Sequence, residues 1–323
     1  MSNQTWRSHV GFAREATYGS TGTGSVVYIP ILSYDEWEDD RERIVDSAPR
    51  AQPSKDYFVY AGVNGGRTGY TWYAYLDTMN RFFKDIFGAA ATVTQSSAGA
   101  HAVHNFGTTD TPLSETIYDF YGVAGAERRW HGMQAERLEL KFDANSGAMT
   151  MKTVYRGYAS STGITETTVA YTCSVPKRGW EGALTLAGST NNRLLAATFT
   201  FAREVGLIYS ASNSQNPVNR EVGPLEITGQ LSFYGGTSSG GSTDTEYTLF
   251  RNNTSTTLSL TFFEASSSNA LLIALSNANF APATLDRGGQ YHRWDVGVRG
   301  LYNTSDSGPG YVATTIASTV LST

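Results

Sequence analysis

RTGYTWYAYLDTMNRFFKDIFGAA, residues 67–90, reads as a strand that passes directly into an amphipathic helix. From Tyr70 to Tyr75 every residue but Ala74 is β-branched or aromatic, which suits a pleated, half-buried surface. Asp77 stands where an N-cap would start the helix. Beyond it Leu76, Met79, Phe82, Phe83, Ile86 and Phe87 recur at three- and four-residue intervals, with Asn80, Arg81, Lys84 and Asp85 expected on the opposite, solvated face. Gly88 supplies the stop. A helix so aromatic on one side needs a broad apolar sheet to lie on, so the rest of the chain is read for strands.

The chain has 323 residues, enough for one large or two ordinary domains. Charged residues are 16%, below the usual quarter, while 33 Gly and 19 Tyr point to strands and turns. The net charge is −5 and is shared by both halves, so a basic nucleic-acid footprint is absent. The basic residues are mostly arginine, a bias that suits interfaces. The single Cys173 excludes an intrachain disulfide framework and a cysteine-rich metal site. The opening MSNQTWRSHV does not resemble a signal peptide and no apolar run reaches the length of a membrane helix, so a cytoplasmic origin is expected. That expectation also counts against an exported outer-membrane barrel.

Residues 1–25 end in the Gly/Ser/Thr run YGSTGTGS and read as an exposed arm, with no strand-then-helix context for a phosphate cradle. Residues 26–47, VVYIPILSYDEWEDDRERIVDS, are the second informative stretch. Here Asp35, Glu36, Glu38, Asp39, Asp40, Glu42 and Asp46 outnumber Arg41 and Arg43 by five, as large as the whole-chain charge of −5. With a strand's period of two, Glu36, Glu38, Asp40 and Glu42 share one purely acidic face, and Asp35, Trp37, Asp39, Arg41 and Arg43 share the other. No alternating Asp/Asn loop with a central Gly makes this a metal site, and no metal is expected.

Pro49 and Pro53 interrupt the pattern and make 46–56 a loop before a strand at 57–63 and a turn at Asn64-Gly65-Gly66. Past Gly88, the Ala/Ser/Thr/Gly-rich segment to Pro112 reads as a long surface loop. Strands follow at 115–123, 130–142 and 148–158, the last two a hairpin around residues 143–147, with Leu138, Leu140 and Phe142 facing one way and Glu139 and Lys141 the other. A Ser/Thr-rich linker covers 161–182. Beyond it the order returns: strands at 194–201 and 205–210, a loop at Pro217, a strand at 225–234, a short helix near 244–252, and strands at 257–263, 270–277 and 291–302. The expected architecture is mainly β, two tandem β-sandwich domains at 1–160 and 183–323, each flanked by one helix, near 77–88 and 244–252.

The best match to an enzyme motif is Gly236-Thr237-Ser238-Ser239-Gly240, with Asp286 and His292 following in hydrolase order. A hydrolase elbow belongs to a parallel sheet with many crossover helices, and the string lies in the low-complexity run GGTSSGGSTD, so no catalytic role is assigned. His101 and His104 read as a surface-loop pair without ligand partners. His9, His131 and His292 are isolated. No catalytic residues and no cofactor are expected.

The acidic strand, the Pro-bearing loop, the aromatic strand running into LDTMNRFFKDIFGA, and the hairpin ending TVYRGYASS resemble the tail tube (major tail) proteins of long, non-contractile phage tails. The likeness is strongest over 26–158, and the second half looks like another copy of the domain. It implies a β-sandwich flanked by a helix, with one sheet from each domain joining an intersubunit β-barrel. A two-domain member implies three subunits per ring with pseudo-sixfold symmetry. On this resemblance Glu36, Glu38, Asp40 and Glu42 would line the lumen, and Pro49, Arg50, Pro53 and Lys55 would make contacts between rings or subunits. The implied partners are further copies of the chain, a tape measure protein and tail-end proteins, with DNA passing unbound. The implied location is the virion tail, assembled in the host cytoplasm. The second half departs by lacking the acidic stretch. The competing reading is a β-sandwich binding module, carbohydrate-binding or capsid-decorating, with Tyr and Trp as ligand platforms.

Overall fold

The structure, a computed structural model, describes residues 8–22, 26–48, 50–88, 91–96, 99–105, 112–120, 122, 127–145, 147–162, 169, 171, 175–235, 245–263, 269–288, 292–304 and 308–316. Among these residues it is mainly β, with two α-helices. The first half holds β1 (His9–Arg14), β2 (Val27–Ile29), β3 (Ser33–Asp46), β4 (Phe58–Tyr73), α1 (Leu76–Phe87), β5 (Ala91–Ser96), β6 (Gly99–Asn105), β7 (Ser114–Phe120), β8 (Arg128–Asp143) and β9 (Thr150–Gly157). The second holds β10 (Gly182–Leu186), β11 (Ser189–Asn191), β12 (Leu194–Ala202), β13 (Val205–Ile208), β14 (Asn219–Val222), β15 (Glu226–Tyr234), α2 (Thr245–Arg251), β16 (Thr256–Phe263), β17 (Ala270–Asp286), β18 (Arg293–Gly300) and β19 (Gly310–Ile316).

The aromatic strand does hand over to a helix, but β4 begins well before it and runs unbroken through Asn64-Gly65-Gly66, where a turn was expected. These residues pair with Arg41, Asp40 and Asp39 of β3, and a bulge between Arg41 and Arg43 absorbs the irregularity. A Cβ on Gly66 would lie 2.6 Å from the Trp130 ring and 2.5 Å from the Tyr158 carbonyl oxygen, so glycine here makes room for packing. Conversely, the single strand read over 26–47 is two, β2 and β3, separated at Pro30, whose ring removes a ladder donor. The supposed arm at 1–25 contains β1, a buried strand paired with both β7 and β2.

Helix α1 stops at Gly88, at φ 103°, whose N–H bonds to the Lys84 carbonyl. Its N-cap is Tyr75, with no side-chain cap, and Asp77 sits inside the first turn, where its charge favours the helix dipole. The larger correction concerns the polar face: Asn80, Arg81 and Asp85 are buried. Arg81 forks onto Glu115 of β7 at 2.5 and 3.1 Å, and Arg14 of β1 reaches Glu115 at 3.4 Å and Asp85 at 3.8 Å. Tyr155 donates to Asp85 at 2.9 Å. Two guanidinium groups thus balance two carboxylates under the helix, which makes burial of the polar face tolerable. Burial and the neighbouring Asp85 push Glu115 up to about 8, against the pull of Arg81 and Arg14.

Arg81→Met should therefore destabilise the chain by roughly 3–5 kcal/mol, the cost of leaving a buried charge uncompensated. A group with a raised folded pKa contributes stability below its unfolded pKa and loses it as pH rises through the folded value. Without Arg81 the Glu115 carboxyl is raised further, so the deficit should shrink as pH falls through the folded value of Glu115, between about pH 9 and pH 7. Urea unfolding at the two pH values checks this; an equal deficit at both would show that the ion pair is not its source.

Residues 88–112, expected as loop, contain the β5–β6 hairpin, and β6 pairs with β19 near the far end of the sequence. His104 is accordingly buried, its ring nitrogen against the Asn80 side-chain oxygen, with burial pushing its pKa down to about 3. The expected 143–147 turn does join β8 and β9, with Leu138, Leu140 and Phe142 buried and Lys141 exposed. In the second half α2 falls where a short helix was read, and the β10–β11 hairpin was not foreseen.

Eight strands form one antiparallel run in the order β3-β4-β9-β8-β12-β15-β18-β17. Its midpoint is the β8–β12 ladder, Arg137↔Ala202 to Asp143↔Ala196, which joins the halves edge to edge. One face of the run is apolar. Phe12 of β1 meets Tyr70, Trp72 and Tyr155 at ring distances of 5.9–6.0 Å, and Phe142 meets Phe262 of β16 at 4.8 Å, so β1 and β16 fold back over that face. A single core runs through both halves, with Phe87 of α1 edge-on to Phe201 of β12 at 5.2 Å.

Candidate functional site

Among the described residues no three His, Cys, Asp or Glu side chains gather to hold a metal. The string 236–240 lies outside the described residues; Asp286 ends β17 opposite Arg293, and His292 is exposed. The chemistry of the described surface is that of the second, polar face of the eight-stranded run.

On β3, Trp37 turns to the core side and stands edge-on to Trp130 at 5.7 Å, while Asp39 accepts from the Ser160 hydroxyl at 2.7 Å. Glu36, Glu38 and Asp40 therefore point to the other face, as the two-residue period requires. Glu38 and Asp40 line a hollow with Arg67, Glu136, Arg156 and Tyr209. Glu42 sits at the bulge, its carboxylate accepting from the Val63 N–H at 3.2 Å.

The face is not purely acidic. Arg67 of β4 bonds Glu36 at 3.0 Å and Glu136 at 2.9 Å, and Lys152 of β9 lies 3.8 Å from Glu36. Further along, Arg137 pairs with Glu139 at 2.6 Å, Arg299 with Glu226 at 2.9 Å and Arg293 with Asp295 at 2.9 Å. Between them β12 contributes Thr198 and Thr200, in register with Lys141 and Glu139. Reading one strand at a time missed these arginines. The signal was present in the alternation of Arg67, Gly69 and Thr71 against the buried Thr68, Tyr70 and Trp72. At the β8–β12 junction a hollow of about 560 Å³ is lined by Arg67, Glu136, Arg137, Arg203, Glu226 and Arg299, again mixing both signs.

The β3–β4 hairpin ends in the Pro-bearing loop. Pro49 lies outside the described residues; Pro53 and Lys55 are exposed. The Arg50 guanidinium is ion-paired to Asp46 and lies 5.0 Å from the centroids of both the Tyr57 and Phe58 rings. Below it Ile44, Val45, Phe58, Val59 and Tyr60 are 49–61% exposed. Five large apolar side chains clustered at one hairpin end exceed what scattered surface hydrophobics explain, and such patches mark contact surfaces.

Among the described residues the far edge of β3 has no backbone partner, nor does the far edge of β17 over 279–286, which pairs only with β18. Open edges are templates for further strands.

No curated protein matches the chain. A family model described as phage tail tube protein matches residues 5–319, a span that takes in every element from β1 to β19. With a match over nearly its whole length, the chain belongs to the phage tail tube protein family.

Proposed function

We propose that three copies of the chain close into a ring, and that rings stack into a tube whose lumen is lined by the polar face of the eight-stranded run. The observation that carries this is one continuous sheet, apolar on one face and charged on the other, whose end strands, β3 and β17 over 279–286, show no further backbone ladder on their outer sides among the described residues. A ring closed edge to edge leaves no open strand, which is how barrels abolish edges. In this reading the chain is a duplication, with β3, β4, α1, β7, β8 and β9 corresponding to β12, β15, α2, β16, β17 and β18. Supporting it, each half orders its lumen-facing strands as first, second, fourth, third.

Glu36, Glu38, Asp40 and Glu42 then face DNA in transit. Their acids, and the carboxylates already holding Arg67, Arg137, Arg293 and Arg299, offset most of the cations on this face, leaving Lys141 and Arg156 exposed, so phosphate is held weakly and DNA slides. A tape measure protein would occupy the lumen during assembly in the host cytoplasm, and tail-end proteins would cap the tube. The role is structural rather than catalytic. Size-exclusion chromatography with negative-stain microscopy of the purified chain tests it: rings or rods of constant diameter are expected, and a monodisperse monomer at all protein and salt concentrations would overturn it.

A further inference from the structure

We infer that the β8–β12 ladder inside the chain is the template for the contact between copies, and that it fixes both the strands and the register of that contact; this rests on the ring reading. The two four-stranded sets end on matching rows. Lys141, Thr150 and Tyr73 close the β8–β9 and β9–β4 ladders, as Asp286, Arg293 and Tyr234 close the β17–β18 and β18–β15 ladders. Five residues before those ends, β8 is bulged between Ala135 and Arg137, and β17 is bulged between Phe280 and Ala283. The same alignment sets Gly69 of β4 on Gln230 of β15, and hence their partners Glu36 of β3 and Thr198 of β12 on each other.

Within the chain Thr198, Phe199 and Thr200 face Lys141, Leu140 and Glu139. Transferred between copies, Glu36, Trp37 and Glu38 of β3 face Asp286, Leu285 and Thr284 of β17 in the neighbour. The occupant of each open edge is thus the opposite edge of a second copy, added as an antiparallel strand. Trp37, half exposed in the isolated chain, would be covered by Leu285 as Phe199 is covered by Leu140. The Glu36–Asp286 row sets like charges opposite each other, so closure should strengthen with salt.

The test is a double variant, Glu38→Cys with Thr284→Cys, on a chain whose Cys173 is replaced by Ser. Both sites are exposed, so folding is undisturbed, and residues directly across a ladder lie within disulfide reach. Oxidised assemblies should give a covalent ladder of dimer and trimer that stops at trimer on a non-reducing gel. The pair shifted by two residues, Glu38→Cys with Asp286→Cys, should give on the order of a tenth of that yield, since its separation exceeds disulfide reach. If tubes form but the shifted pair cross-links better, or neither does, the register is wrong and the ring reading stands. If the unsubstituted chain forms no rings at all, the ring reading itself fails.

Discussion

Replacing residues 47–57 by an Asn-Gly turn is expected to leave a folded chain that still closes rings but no longer stacks them. Asp46 and Phe58 are already a cross-strand pair, so a two-residue turn can close the shortened hairpin there. What is lost is the loop carrying Arg50, Pro53 and Lys55, which projects beyond the exposed Ile44, Val45, Phe58, Val59 and Tyr60. Fully burying an apolar side chain is worth about 1.5–3 kcal/mol, and every copy in a ring would contribute its own hairpin. The effect on tube length should therefore be all-or-none, while the unfolding midpoint shifts little, as for other exposed sites. Val59→Lys combined with Ile44→Lys should weaken stacking in the same direction without changing the loop. Normal tubes from the loop replacement, seen by microscopy, would rule the hairpin out as the stacking device.

The second large effect concerns the lumen. Changing Glu36, Glu38, Asp40 and Glu42 together to Lys should give tubes that retain DNA and impair its delivery, with the defect easing as salt rises. Each ring would present four new cations three times over, and Arg67 would be released from Glu36. Fixed cations that replace condensed counterions bind phosphate in a steeply salt-dependent way. The Gln versions should assemble normally, or slightly better at low salt, because exposed charges repel over a range of about 10 Å at 0.1 M. Their loss of the partly exposed Glu36–Arg67 pair should cost at most about 1 kcal/mol. If the Gln variant keeps a folded circular-dichroism spectrum but fails to assemble, these acids belong to a subunit contact and the lumen assignment is wrong.

Much of this fold was legible where the relevant physics is local. The strand-to-helix passage at Tyr75, the Gly88 stop, the β8–β9 hairpin and the side of β3 that carries Glu36, Glu38 and Asp40 all follow from period and turn chemistry over a few residues. What was not legible depends on partners distant in the chain. Gly65 and Gly66 look like a turn until Leu207 and Tyr209 are placed against the first and Trp130 against the second. Arg81 and Asp85 look solvated until β7 and β1 bring Glu115 and Arg14. The β5–β6 hairpin sits in an Ala/Ser/Thr/Gly-rich stretch with no long apolar run to mark it, and its ladder to β19 joins residues 100–105 to residues 311–316. The acidic face had the same limitation: β3 alone shows which side its acids take, and the mixed sign of the face, with Arg67 and Lys152 beside Glu36, required knowing that β4 and β9 lie next to it.

The central claim is that the charged face of the eight-stranded run looks into the tube. A cryo-electron microscopy map of assembled tubes tests it most directly. The account predicts three copies per ring, β3 of each copy beside β17 of the next, Glu38, Arg67 and Thr200 projecting into the lumen, and α1 and α2 outside the barrel wall. A map with helices toward the lumen, or with that sheet face turned outward, would contradict it.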